Sequence, residues 1–147
     1  MTYLPSCPFC RIAAGEIQPV LLHEDADVMA FLDIAPVRPG HTLIITREHV
    51  ETFERLPPEL AGKVLSLAQQ LARRMKEVYG VERVGFVFTG TDVAHAHAHV
   101  VPMHEKTDFT SARYITTPGP IEFGSEHLKV DKAVLLGERE KLGFRAA

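Results

Sequence analysis

The sequence predicts an α+β fold: an antiparallel sheet of about five strands packed against one long helix, with short helices near the two ends. Three observations lead to this prediction. Apolar residues recur at helical spacing over residues 58–79, and five segments with strand character are separated by turn residues. The chain has 147 residues, 46% of them hydrophobic, which suits one domain over residues 1–147 with a buried core.

The first third of the chain predicts a short helix and three strands. The helix covers residues 8–15, with Gly15 as its stop. The strands are residues 20–24, 28–33 and 41–46. An Asp25-Ala26-Asp27 turn separates the first two strands, and Pro39-Gly40 supplies turn residues before the third, which is rich in β-branched residues.

The long helix is predicted over residues 58–79. Pro57 and Pro58 suit its first turn, and Gly80 follows as its stop. Its apolar stripe predicts core packing rather than a cofactor site, and consists of Leu60, Val64, Leu67, Leu71, Met75 and Val78.

Two more strands and a C-terminal helix complete the predicted elements. The strands are residues 84–88 and 94–101. A glycine- and proline-rich stretch follows at residues 116–120. The last helix is predicted from Asp131, as its N-cap, to about Leu142.

The composition excludes several classes of partner. The formal net charge of −3 gives no global basic surface for nucleic acid, and no apolar run approaches the length of a membrane span. Neither nucleic acid nor a membrane is therefore an expected partner. The N-terminal residues lack a basic region followed by an apolar stretch, so we expect no secretory signal and a cytoplasmic location.

Three histidines alternate with alanine at His95, His97 and His99. If they lie in a β-strand, all three imidazoles point to one face, about 6.5–7 Å apart from one to the next. Imidazole ligates metals and acts as a nucleophile near neutral pH. Because chance seldom produces this period-two placement, we interpret the run as functional. One metal ion held by all three is awkward, since the outer pair is about 13 Å apart.

The only cysteines, Cys7 and Cys10, form a Cys-x-x-Cys pair. In a reducing compartment such a pair is either half of a metal site or a redox pair. A redox pair is expected after a strand and within a βαβ unit, whereas this pair lies close to the first residue, which favours zinc. A closed tetrahedral zinc site needs two more ligands, and His49 and His95 are candidates.

The histidine run continues into apolar residues and Pro102. Other notable segments are residues 7–17 (CPFCRIAAGEI), 30–36 (AFLDIAP), 40–43 (GHTL) and 47–50 (REHV). Together they resemble the histidine triad (HIT) family of small nucleotide-binding hydrolases and nucleotidyl transferases. The resemblance covers residues 7–104 and implies a HIT-like fold. Residues 105–147 form a C-terminal extension without a usable family signature.

The resemblance implies a role for each histidine of the run. His97 would be the nucleophile that attacks the α-phosphorus of a nucleotide and forms a covalent nucleotidyl-histidine. His99 would lie beside the phosphate and stabilise its charge. The zinc ligands would be Cys7, Cys10, His49 and His95. Four protein ligands leave no position for substrate, so the zinc would be structural. A hydrogen-bonded His95 that only positions His97 is the alternative.

The resemblance also implies a nucleoside site. Asp33 would accept hydrogen bonds from both ribose hydroxyls, which favours a ribonucleotide. An ordinary aspartate at a strand end is the alternative. Phe31, Ile34 and Leu43 would form the apolar pocket for the base, although plain sheet core is nearly as good an interpretation of these three.

The segment ahead of the triad departs from the family pattern. Thr91 stands where the family usually has Gln, and Asp92 stands where a hydroxyl residue often contacts phosphate. A carboxylate beside phosphate is repulsive unless it is protonated or turned away. The backbone around Gly90 and the hydroxyls of Thr89 or Thr91 would still bind phosphate. Asp92 is then either a general acid or a cap of the turn.

These residues predict a nucleotide hydrolase or nucleotidyl transferase. Its substrate would be an AMP- or GMP-containing conjugate, either a nucleoside phosphoramidate or a dinucleoside polyphosphate. A histidine at position 99 favours the hydrolase branch, because the transferase and phosphorylase branches commonly carry Gln there. The resemblance implies a homodimer through the main helix and a sheet edge. Two alternatives stay open: a nucleotide-binding or scaffolding protein with little turnover, and a metal-dependent hydrolase with zinc at an open site.

Overall fold

The computed structural model describes residues 2–109 and 124–147, so the predicted glycine- and proline-rich stretch at 116–120 lies outside the described residues. The α-helices of the described part are α1 (Pro8–Ala13), α2 (Pro58–Tyr79) and α3 (Lys132–Leu142). Its strands are β1 (Leu21–Glu24), β2 (Val28–Leu32), β3 (Thr42–Thr46), β4 (Arg83–Phe88) and β5 (His97–Met103). Short 3₁₀ helices cover Phe53–Arg55 and Glu126–Leu128.

The strands form one antiparallel sheet in the order β1-β2-β3-β5-β4, which confirms the predicted α+β class. β3 and β5 are neighbours, with Leu43 opposite His99 and Ile45 opposite His97. This register places the two histidines of β5 beside the second and fourth residues of β3. β4 lies at one edge of the sheet, where it pairs with β5.

The alternation of side chains along the strands gives the sheet two different faces. One face packs against α2 and forms the larger core, which includes Val28, Ala30, Leu32, Ile44, Ala98, Val100, Val64, Leu67, Leu71 and Met75. The other face carries α1 and a second apolar cluster, which includes Phe9, Cys10, Ile12, Met29, Phe31, Leu43 and Ile45. His97 lies on this second face, since its ring packs against Phe9 with 4.8 Å between ring centroids.

Helix α2 has the bounds that the sequence predicts. Pro58 occupies the first turn, and Gly80 ends the helix in the left-handed conformation, with φ of +65°. Four residues of its apolar stripe are buried in the larger core, as expected for a core helix: Val64, Leu67, Leu71 and Met75. Leu60 and Val78 are only partly buried. Neither α2 nor any other helix within the described ranges is long and apolar enough to cross a membrane.

The last strand begins later than predicted, at His97 instead of Ala94. The chain turns just before it: the His95 N–H donates to the Val93 carbonyl at 2.8 Å, and these residues make no ladder with β3. The prediction that one strand carries all three histidines is therefore wrong. The His95 ring nevertheless lies on the α1 side of the sheet, with its centroid 5.8 Å from that of Phe9.

The two terminal helices also differ slightly from their predictions. α1 ends at Ala13, and Gly15 follows it with a φ of +79°. Asp131 holds the N-cap position of α3, but its side chain makes no capping hydrogen bond. α3 packs against α2 and buries Leu135 and Leu142 in the larger core. Within the described residues of the C-terminal extension, α3 is thus part of the packed fold.

Candidate active site and zinc centre

Four potential zinc ligands meet on the α1 side of the sheet. Cys7 is the N-cap of α1, and its Sγ accepts a hydrogen bond from the Cys10 N–H at 3.4 Å, which places both thiols at the helix start. His49 follows β3, and His95 precedes β5. The two Sγ and the two Nδ1 atoms lie within 4.8 Å of one another. The structure therefore brings the predicted ligand set together.

The distances between these atoms fit a tetrahedral zinc ion. Zn–S bonds of about 2.3 Å and Zn–N bonds of about 2.0–2.1 Å require ligand-to-ligand distances of about 3.3–3.8 Å. Cys7 Sγ lies 3.4 Å from His95 Nδ1, Cys10 Sγ lies 3.3 Å from His49 Nδ1, and the two Nδ1 atoms are 3.3 Å apart. Two thiols and two imidazoles are also a donor set typical of structural zinc.

His95 is held in the tautomer that a metal ion requires. Its Nε2 lies 2.8 Å from the Thr46 carbonyl, which can only accept a hydrogen bond. Nε2 therefore carries the proton, and Nδ1 presents its lone pair to the thiols. Burial lowers the pKa of His95 to about 4, so the ring is neutral at neutral pH. These contacts favour a ligand role for His95 over a purely positioning one.

A cavity of about 370 Å³ lies beside the histidines of β5. It is lined by Asp33, Ala35, Val37, Val87, Thr89, Thr91, Asp92, His97, His99, Val101, Asp108, Phe109, Gly124 and Ser125. Residues from four separate parts of the chain thus converge here. They include six of the residues that the sequence singles out for catalysis or nucleotide binding.

His97 is 6% exposed, and its hydrogen bonding fixes which nitrogen can react. Its Nδ1 lies 2.6 Å from the carbonyl of His95. Because a carbonyl cannot donate, Nδ1 carries the proton, and Nε2 keeps its lone pair. An imidazole that presents the lone pair of Nε2 at the wall of a cavity is a competent nucleophile.

His99 is oriented by a buried histidine, His41, to which the sequence alone assigns no role in the site. His41 is 1% exposed, and its Nδ1 accepts the Val37 N–H at 3.1 Å. Its proton must then be on Nε2, which donates to His99 Nδ1 at 2.9 Å. Burial lowers the pKa of both rings to about 3, so both are neutral. His99 therefore carries its own proton on Nε2, as a hydrogen-bond donor.

Asp33, His41 and His99 form a second group whose side-chain atoms are close enough to suggest a metal site. The Val37 N–H occupies the Nδ1 lone pair of His41, so Nε2 is protonated and cannot bind a cation. His41 Nε2 also lies 3.5 Å from the Asp33 carboxylate. This group is a hydrogen-bonded chain and not a second metal centre.

The predicted nucleoside residues occupy three different environments. Asp33 lines the cavity, where one carboxylate oxygen accepts the Ala35 N–H at 2.8 Å, and burial raises its pKa above the ordinary value. Phe31 and Leu43 are buried in the cluster beneath α1, and neither lines the cavity. Ile34 is 59% exposed. The assignment of Phe31, Ile34 and Leu43 to a base pocket stays a prediction.

The segment ahead of β5 reaches the cavity, and its role in phosphate binding stays a prediction. Thr89, Thr91 and Asp92 line it. Gly90 has a φ of +75° and instead lines a smaller cleft of about 130 Å³, which His97 also lines. His97 therefore borders both spaces. No hydrogen bond within the described residues ties Asp92 to the turn as a cap.

Asp108 and Phe109 line the cavity from the C-terminal extension. Asp108 is fully buried and pairs with Arg38, whose Nη2 lies 2.8 Å from the carboxylate. The ring of Phe109 lies over the backbone of Gly85, where a Cβ atom would come within 2.6 Å of it. Neither residue is assigned a role from the sequence, because both lie beyond the segment that resembles the HIT family.

Comparison with known proteins identifies the family. The family model described as HIT domain matches residues 14–106, so the chain belongs to the HIT family. The sequence is 37% identical over 98 residues to the adenosine 5′-monophosphoramidase hnt1 of Schizosaccharomyces pombe. That match spans 66% of this chain and 74% of the relative.

Solved structures agree with this assignment. A Zn-bound histidine triad family protein from Mycobacterium smegmatis has a TM-score of 0.66 and 27% identity, over 94% of this chain and 96% of that chain. A Hit-like protein involved in cell-cycle regulation from Bartonella henselae, solved with an unknown ligand, has a TM-score of 0.76 and 24% identity, over 97% of each chain. At that identity the second likeness shows the fold alone.

Proposed function

We propose that the protein is a hydrolase or nucleotidyl transferase that acts at the α-phosphate of a ribonucleotide conjugate through a covalent nucleotidyl-His97. One observation carries the proposal: the His95 carbonyl holds His97 in the tautomer that leaves Nε2 free at the cavity. Membership of the HIT family and the likeness to an adenosine 5′-monophosphoramidase support a nucleotide substrate.

The reaction consists of two displacements at phosphorus. His97 Nε2 attacks the α-phosphorus, the bond to the leaving group breaks with its electron pair, and the leaving group takes up a proton. Water then attacks the same phosphorus and gives up a proton to the solvent, the P–N bond breaks with its electron pair returning to His97 Nε2, and the nucleoside monophosphate leaves. The His99 Nε2–H is suited to donate to a non-bridging phosphate oxygen, because His41 fixes its tautomer.

Zinc has a structural part in this proposal. Cys7, Cys10, His49 and His95 would hold the ion, and a site with four protein ligands supplies a crosslink rather than an open Lewis acid. The crosslink would hold α1 against the segment before β5. Phe9 of α1 contacts the rings of His95 and His97, so the predicted zinc ligands and His97 belong to one packed cluster.

Turnover separates this proposal from the scaffolding alternative. We expect the protein to release AMP from adenosine 5′-phosphoramidate, and diadenosine polyphosphate is the substrate to compare with it. A scaffolding protein would bind AMP in calorimetric titration without releasing product from either conjugate.

A cytoplasmic location stays a prediction.

We expect Asp33 to select ribose over deoxyribose. Its carboxylate lines the cavity, and loss of the ribose hydroxyls would leave buried acceptors unpaired, at a cost of about 1–3 kcal/mol each. AMP should therefore bind at least about tenfold more tightly than 2′-deoxy-AMP in calorimetric titration. Asp33→Ala should remove that preference, whereas the exposed Asp27→Ala should retain it. Equal affinity of the unchanged protein for both sugars would contradict the ribose assignment.

We also expect a homodimer. Edge strand β4 carries Phe86, which is 39% exposed, beside Phe88, and the ring of Phe88 stacks on that of Phe53, which is 58% exposed. An exposed aromatic group on an edge strand favours association. Sedimentation should give twice the chain mass of 16.3 kDa.

Replacement of one aromatic residue on β4 tests where the copies meet. Phe86→Lys should give monomers, whereas Val134→Lys on α3, at a residue that is 51% exposed, should leave the dimer intact. A monomer mass for the unchanged protein at micromolar concentration would contradict the dimer.

A further inference from the structure

The tautomer of His41 depends on an irregular loop. The contact that decides it is the Val37 N–H, 3.1 Å from His41 Nδ1. The ring is 1% exposed, so bulk water does not compete for this position. The neighbouring Arg38 carbonyl accepts the His41 N–H at 3.0 Å. The backbone of residues 37–38 therefore sets both the placement and the protonated nitrogen of His41.

The side chain of Arg38 ties this loop to the C-terminal extension. Its Nη2 lies 2.8 Å from Asp108 Oδ1. The other oxygen of Asp108 accepts the backbone N–H groups of His104 and Glu105 at 2.7 and 2.9 Å. Asp108 is fully buried, so these contacts hold a carboxylate at a single position between the loop and the end of β5.

The charge of Asp108 is maintained in the fold. Burial acts to raise the pKa of its carboxyl, but the Arg38 guanidinium and the backbone hydrogen bonds from Glu105 and His104 outweigh this effect and lower the pKa below its ordinary value. The ion pair is partly buried, since the Asp108 side chain is 0% exposed and the Arg38 side chain is 22% exposed. Such a pair contributes little net stability compared with an apolar pair of similar volume, but it fixes geometry. Arg38 directly follows Val37 in the chain, and the Val37 N–H contacts His41, so the position of the ion pair affects His41.

We propose that Arg38 and Asp108 are positioning residues which, through the Val37 N–H, keep the proton of His41 on Nε2 and so orient His99. The Arg38–Asp108 pair holds the loop in place, and the Val37 N–H of this loop donates to His41 Nδ1. The His41 Nε2–H in turn donates to His99 Nδ1. The proton that His99 presents to a phosphate is then on Nε2. The catalytic consequence rests on the proposed function, whereas the effect on His41 does not.

Asp108→Asn tests the inference, because it removes the charge with little change of shape. The first readout is the long-range ¹H–¹⁵N correlation spectrum of the histidine rings, in which the protonated and bare nitrogens of a neutral imidazole differ strongly in ¹⁵N shift. We expect the spectrum of the unchanged protein to show one neutral form of His41, with the proton on Nε2. In the variant, the ¹⁵N shifts of His41 should no longer correspond to this one form. The second readout is turnover of adenosine 5′-phosphoramidate, with kcat reduced at least tenfold and KM changed less than threefold.

Glu105→Gln is the matched control. Glu105 approaches the same guanidinium at 3.4 Å, but its side chain is 67% exposed, and Asp108 keeps both of its backbone donors in this variant. We expect wild-type His41 signals and kcat. If Asp108→Asn does not fold, Arg38→Lys takes its place, since it keeps the charge but loses the planar fork. In Arg38→Lys we expect the His41 signals and kcat to change in the same direction as in Asp108→Asn, but by a smaller amount.

An unchanged His41 pattern in the folded Asp108→Asn or Arg38→Lys variant would overturn the inference, even if the melting temperature falls. A shifted pattern with unchanged kcat would overturn its catalytic part. If the unchanged protein turns over no conjugate, the proposed function fails, and the histidine spectrum alone still decides whether the pair positions His41.

Discussion

Replacement of His97 by Asn should abolish turnover of adenosine 5′-phosphoramidate while the protein remains folded. The Asn side chain can still donate an N–H to the His95 carbonyl, which the imidazole Nδ1 contacts at 2.6 Å, but it has no nucleophilic nitrogen. We expect kcat to fall at least about 1,000-fold, or about 4 kcal/mol in activation free energy. His97→Ala should have the same effect on kcat.

An exposed histidine supplies the control for this loss. His127 lies outside the cavity, and His127→Ala should keep wild-type kcat. Zinc content and melting temperature, measured for all variants, separate loss of the nucleophile from loss of the fold. Activity of a folded His97 variant within about tenfold of wild type, or about 1.4 kcal/mol, would contradict the role of His97.

Loss of the zinc site should destabilise the protein more than any other single change considered. We expect about one zinc ion per chain and complete loss of the metal in Cys10→Ser, because all four donors are needed for a closed tetrahedral site. A ligand that binds only the folded state stabilises it by about 4 kcal/mol at a 1,000-fold excess over its Kd. For a chain of this size, such a loss lowers the melting temperature by roughly 8–16 °C.

The relation between stability and activity distinguishes a structural from a catalytic ion. Under chelation, activity should fall in proportion to the folded fraction, since no step of the proposed reaction needs the metal. The exposed Ser6→Ala, between the terminus and the cysteine pair, should retain zinc and stability. Complete loss of activity at an unchanged melting temperature would favour the metal-dependent hydrolase with an open site.

Elements defined by local patterns could be predicted from the sequence. The apolar period of α2 and its flanking Pro58 and Gly80 determine that helix directly. The alternation of His97 and His99 identifies a strand face that carries chemistry. The Cys7 and Cys10 pair identifies a metal half-site, because the first turn of α1 brings both thiols to one place.

Features that depend on pairing between distant segments could not be predicted in this way. His41 contributes because the register of β3 against β5 brings it beside His99, and a single sequence does not state that register. His95 was assigned to a strand because the alternation continues through it, whereas the turn before β5 is stabilised by contacts with Val93. Asp108 becomes significant only through its ion pair with Arg38, some seventy residues away.

The stereochemistry of hydrolysis at phosphorus tests the covalent nucleotidyl-His97 most directly. An in-line displacement inverts the configuration of phosphorus, so two successive displacements retain it and one displacement by water inverts it. The substrate is a single diastereomer of adenosine 5′-phosphorothioate amidate, hydrolysed in ¹⁸O-labelled water, and the configuration of the product is measured. The configuration of the product reports on the intermediate even if the intermediate does not accumulate. We predict overall retention, and overall inversion would contradict the covalent mechanism.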